Sequence, residues 1–118
     1  MSDRYLTVTS RTHSAGPHVL TVAGELDHHT APRLHSALDE SPLTPGTSII
    51  LDLSGLTYCD STGITVLITA HHRAQATGGG LALAGLDDDI KRVFTIVGLD
   101  QIFAFHDSVD DAAAALTR

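Results

Sequence analysis

The sequence holds no tryptophan, one methionine and one cysteine, and aromatic residues make up only 4% of its 118 positions. A single thiol, Cys59, excludes an internal disulfide framework and a multi-cysteine zinc site. The opening residues MSDRYLTV carry no secretory signal, so the lone cysteine points to the reducing cytoplasm. Cations are scarce as well: seven Lys plus Arg stand against fourteen Asp plus Glu, for a formal charge of −7. Such a chain lacks the electrostatic footprint of a nucleic-acid binder, although an acidic surface suits a basic protein partner. Long hydrophobic runs are missing too. None approaches the roughly 20 residues that span a bilayer, so no membrane insertion is expected.

What is present fits one domain over residues 1–118, with a single core. The chain is organised around Leu51 to Ile68, where a buried-strand pattern turns through polar residues into a helical one. Ile49, Ile50, Leu51 and Leu53 form a short apolar run after Thr44-Pro45-Gly46-Thr47, as in a central strand covered on both faces. Ser54 to Cys59 reads as a connection, and Ile64, Leu67, Ile68 and Ala74 then mark one helical stripe. Asp60 and Ser61 sit at the start of that helix. Both residue types cap helices, so the pair is a cap, a functional site, or both.

Upstream, Tyr5 and Thr7, then Val19, Leu20 and Val22, predict a hairpin turning at Ser14-Ala15-Gly16-Pro17. Gly24-Glu25-Leu26-Asp27 leaves the second strand, and Thr30-Ala31-Pro32 opens a helix with a capping hydroxyl that stops near Ser41-Pro42. Downstream, Thr77-Gly78-Gly79-Gly80 ends the second helix and Leu81 to Ala84 is a short strand. Asp87, Asp88 and Asp89 begin a helix with the stripe Ile90, Val93, Phe94 and Val97, which ends at Gly98. A last strand spans Ile102 to Phe105, and Ser108 caps a final helix to Leu116. Strands alternating with helices predict an α/β fold: a mainly parallel sheet of about five strands, the N-terminal one antiparallel, with about four helices.

Most routes to chemistry close on inspection. The pairs His28-His29 and His71-His72 are adjacent, so their side chains diverge, and no HExxH or Cys/His ligand set exists; neither metal nor cofactor is expected, and these are surface or loop residues. Ser61 has neither a G-x-S-x-G elbow nor an evident base, which argues against a hydrolase. Gly78-Gly79-Gly80 lacks the Lys-Ser/Thr of a phosphate loop and follows a helix, not a strand.

Three segments carry a resemblance: Gly24-Glu25-Leu26-Asp27-His28-His29-Thr30-Ala31; Asp52-Leu53-Ser54-Gly55-Leu56 with Asp60-Ser61-Thr62-Gly63-Ile64; and, less specifically, Val93-Phe94 with Gly98-Leu99. Together they resemble the STAS domain of bacterial anti-sigma factor antagonists over nearly the whole chain. The resemblance implies a binding module, not an enzyme. It captures a serine-kinase anti-sigma factor when unphosphorylated, frees a sigma factor, and is switched off by phosphorylation until a serine phosphatase resets it. It further implies Ser61 as phosphoacceptor, with Thr62 the second choice, and Asp27, Asp60, Ser61, Thr62 and Gly63 as partner-binding residues. Cys59 departs from the larger apolar residue common before this aspartate, which bears on loop packing. The alternative is a STAS module of another signalling scaffold or of a membrane transport complex.

Overall fold

In the computed structural model the chain forms β1 (Leu6–Thr12), β2 (His18–Leu26), α1 (Ala31–Glu40), β3 (Ile49–Cys59), α2 (Ser61–Ala76), β4 (Leu81–Ala84), α3 (Asp88–Ile96), a 3₁₀ turn (Leu99–Gln101), β5 (Ala104–His106) and α4 (Val109–Leu116). The structure describes residues 5–40 and 46–116; the expected helix stop at Ser41-Pro42, and the Thr44-Pro45 half of the turn before β3, lie outside them. The strands make one five-stranded sheet in the order β1-β2-β3-β4-β5, with β1 antiparallel to β2 and the remaining pairs parallel. This is the expected α/β architecture.

The apolar run at the start of β3 is covered on both faces because alternate residues serve different layers. Ile49, Leu51 and Leu53 join Leu20, Val22 and Leu83 in a large cluster that also takes Leu34 of α1, Leu67 of α2 and Phe94 of α3. Ile50 points the other way and packs with Val19, Ala82 and Ala84 against Ala112 and Ala113 of α4. One layer is thick with leucine; the other is closed by alanines, which let α4 lie close to the sheet.

Several boundaries differ from the sequence expectation. Ser54 to Cys59 is not a connection: β3 runs on to Cys59 because β2 also runs on, pairing Ala23 with Gly55 and Leu26 with Cys59 across two register shifts. This half of β3 reads as polar because β4 pairs only with Ile49 to Asp52, leaving side chains such as Ser54, Thr57 and Tyr58 exposed. Gly24 stays inside β2 at φ +111°, where a Cβ would stand 2.3 Å from the Tyr5 carbonyl oxygen. The last strand starts later than expected, since the Leu99 carbonyl accepts from both Ile102 N–H (3.0 Å) and Phe103 N–H (2.8 Å) and keeps the chain coiled there. On α3, Phe94 is buried and Ile90 half-buried, but Val93 and Val97 are 50% and 55% exposed. Ile90 and Phe94 form one row of the helix, and Val93 and Val97 the next row, turned about 100° away from the sheet. His71 is half-buried, its ring packed edge-on against Phe103 with centroids 5.4 Å apart, while His72 is exposed.

The end of α2 is the glycine stop that the sequence predicts. Gly79 N–H donates to the Ala74 carbonyl and Gly78 N–H to that of Gln75, each at 3.0 Å, and Gly78 takes φ +79°. This is the paired bonding of a Schellman cap. The two glycines are needed for different reasons. Gly78 has open space where a Cβ would go, whereas at Gly79 a Cβ would lie 2.0 Å from the Thr47 carbonyl oxygen. Gly78→Ala should therefore cost about 1 kcal/mol, the conformational penalty alone. Gly79→Ala should cost at least twice that, because backbone must move. Urea unfolding of both variants measures the order.

Candidate functional site

The site is assembled where β2 and β3 end side by side. Pairing Leu26 with Cys59 brings the β2–α1 loop against the start of α2, although the two are over thirty positions apart in sequence. Asp60 joins them. Its Oδ1 accepts from Gly63 N–H at 3.0 Å, capping α2, and its Oδ2 accepts from His28 N–H at 3.2 Å. Its own N–H donates to the Leu26 carbonyl (3.1 Å), and its carbonyl accepts from Ile64 N–H (3.0 Å). The cap predicted from sequence is present, and the same carboxylate holds the neighbouring loop.

Asp27 and Thr30 shape that loop from inside. Asp27 Oδ1 accepts from the N–H groups of His29 (2.9 Å) and Thr30 (3.0 Å). The Thr30 hydroxyl accepts from Asp27 N–H (2.9 Å) and donates to the Glu25 carbonyl (2.6 Å). The expected capping hydroxyl of α1 thus turns back into the loop. Asp27 is fully covered, so its carboxylate does not itself form a contact surface. It presents the exposed residues His28 and His29, whose rings stand edge-on 5.3 Å apart.

Ser61 is the first residue of α2 and is exposed. Thr62 is half-buried and, with His28, Ala31, Pro32, His35 and Val66, lines a groove of about 430 Å³ between α1 and α2. Gly63, expected among the partner-binding residues, is buried; a Cβ there would stand 2.7 Å from Leu26 Cγ and 2.9 Å from Cys59 Sγ. It is the contact that lets α2 sit on the strand ends. His28 and the groove had no signal in the sequence, since they depend on strand register and not on spacing. Among the described residues no group of three His, Cys, Asp or Glu side chains could hold a metal ion.

Cys59 lies half-buried under this junction, with its thiol 3.6 Å from the Asp60 carbonyl oxygen. Burial, and secondarily the Asp60 carboxylate, push its pKa up from 9.0 to about 12. The thiol is therefore neutral and a poor nucleophile at physiological pH. A raised pKa favours the protonated folded form, so its contribution is present below pH 9 and lost as pH rises from 9 towards about 12. Thiolate absorbance should appear well above pH 9 in the folded protein and near that value in urea. Asp60→Ala removes both the cap and the His28 tie and should destabilise by about 1–2 kcal/mol in urea unfolding, more than Asp60→Asn, which retains one acceptor oxygen.

Comparison with known proteins places this geometry. The family model described as "STAS domain" matches residues 9–112. An anti-sigma-B factor antagonist of Listeria monocytogenes is 38% identical over 81 residues, covering 69% of this chain and 71% of that protein. The crystal structure of an anti-sigma factor antagonist from Mycobacterium paratuberculosis superposes with a TM-score of 0.83 at 25% identity, over 99% of this chain and 98% of that one. The Bacillus cell fate determinant SpoIIAA, in its phosphorylated form, shares the fold with a TM-score of 0.69 at 19% identity, over 92% of this chain and 98% of that one. With its Asp-Ser-Thr-Gly turn at the junction of β3 and α2, the chain belongs to the STAS domain family of anti-sigma factor antagonists.

Proposed function

We propose that the chain is a switchable binding module that captures a serine-kinase anti-sigma factor, thereby freeing a sigma factor, and that phosphorylation of Ser61 ends the capture. The observation that carries this reading is the exposed hydroxyl of Ser61 on the first residue of α2, held on a rigid junction by the Asp60 carboxylate. Thr62 is the poorer acceptor because it is half-buried against the groove. The partner surface comprises Ser61 and Thr62, with Asp60 and Asp27 holding it in shape and Gly63 packed beneath. The chain is a substrate and not a catalyst, it works in the cytoplasm, and a serine phosphatase restores it. No helix among the described residues is long and apolar enough to cross a membrane.

The physics of the switch follows from the position of the hydroxyl. A phosphate adds about −1.5 to −2 charges and three acceptor oxygens. The free N–H groups and macrodipole of the α2 N-terminus tolerate that charge, so the fold survives. A docked partner does not. The phosphate adds bulk beside the Asp60 carboxylate, repels like charge and resists desolvation. A loss of only about 3 kcal/mol weakens binding more than a hundredfold, which is enough to reverse partner choice.

Incubation with the cognate anti-sigma kinase and ATP, followed by peptide mass spectrometry, should place one phosphate on Ser61 and none on Ser61→Ala. Phosphate persisting unchanged in that variant would remove Ser61 from the scheme. Ser61→Asp should keep the native circular-dichroism spectrum and bind the anti-sigma factor about a hundredfold more weakly; equal affinity would refute the electrostatic account.

A further inference from the structure

Among the described residues no strand pairs with the outer side of β1, the edge of the sheet opposite β5. Glu25 N–H donates to the Tyr5 carbonyl (2.9 Å) and His13 N–H to the Pro17 carbonyl (2.8 Å), so the odd-numbered residues of β1 bond inward to β2. The backbone groups of Leu6, Val8, Ser10 and Thr12 then point away from the sheet. Among them, the Leu6 carbonyl accepts from Arg33 Nη1 at 2.9 Å. Edge strands are ordinarily blunted by proline, lysine, inward charges or bulges. Residues 6–12, LTVTSRT, contain no proline, lysine or carboxylate, and their register against β2 is unbroken.

Charge decides what this edge meets. In a chain of net charge −7, two copies repel over most of their surface. Beside β1, however, the outer side of α1 carries one cation and one anion about two turns apart, Arg33 and Glu40, with the small residues Ser36 and Ala37 between them. These residues and Val8 border an open groove of about 590 Å³. Among the described residues neither Arg33 nor Glu40 belongs to an ion pair. The helix runs in the same sense as β1: Arg33 reaches Leu6, and Glu40 shares a cavity of about 200 Å³ with Ser10.

We propose that two copies of this chain pair through β1, antiparallel about a two-fold axis at Val8, to form one continuous sheet. This register sets Leu6 opposite Ser10 of the partner subunit, which joins outward-facing backbone groups on both strands. It also sets Arg33 opposite Glu40 of the partner subunit, twice. Ser61 takes no part, although Pro32 and Ser36 of α1 border both this groove and the one between α1 and α2.

Sedimentation velocity on the full chain, from micromolar to millimolar concentration, should show a concentration-dependent dimer. Arg33→Glu should raise its dissociation constant at least tenfold, and Arg33→Glu combined with Glu40→Arg should restore it, with circular dichroism showing that both variants fold. In a Cys59→Ala background, Val8→Cys should form a covalent dimer under mild oxidation, because directly paired residues lie about 5.5 Å apart at Cα, within disulfide reach. A wild-type chain that stays monomeric at millimolar concentration, a charge swap that fails to restore association, or a Val8→Cys variant that does not cross-link would each overturn the proposal.

Discussion

The two bonds accepted by the Asp60 carboxylate, from Gly63 N–H and from His28 N–H, tie together everything that gives this protein a working surface. One oxygen fixes the start of α2, whose first residue is Ser61. The other fixes the β2–α1 loop, which arrives from a different part of the chain. Both donors are backbone groups, which must be satisfied wherever they are placed, so the arrangement needs only a carboxylate at one point and two strands ending in register. The cap read from the sequence is there, and the same carboxylate also ties in the β2–α1 loop.

Around that point the interior is arranged to leave no slack. Gly63 brings α2 down onto Leu26 and Cys59, and the Asp27–Thr30 exchange closes the loop from beneath. The polar groups buried at this end are paired with backbone, which is what a rigid, water-adjacent turn requires. In the proposed switch, a charged group at Ser61 is felt by a binding partner and not by the fold. Cys59 contributes bulk to this junction, and burial pushes its pKa up so that the thiol is neutral at physiological pH.

The two ends of the functional surface are separate devices. At the strand ends, an exposed hydroxyl, a loop and the groove between α1 and α2 lie together. At the β1 edge, outward-facing backbone, of which the Leu6 carbonyl accepts from Arg33, lies beside Arg33 and Glu40 of α1. Helix α1 stands between them, with Pro32 and Ser36 bordering both grooves.

From the amino acids in order, the element sequence was readable: the hairpin, the doubly covered run Ile49 to Leu53, the Asp60 cap, the glycine stop after Ala76 and the acidic start of α3 are all local patterns with local causes. The motif around Ser61, and through it the family, was readable for the same reason. Strand lengths were not, because β3 continues past Ser54 only where β2 offers a partner, and no property of Ser54 to Cys59 records that neighbour. Nor could spacing reveal that Asp27 is covered, that Gly63 is a contact and not a surface, or that Val93 and Val97 face outward while Ile90 and Phe94 face in. Each depends on which groups from distant segments arrive within a few ångströms, and that is a property of strand register and helix rotation in the assembled core.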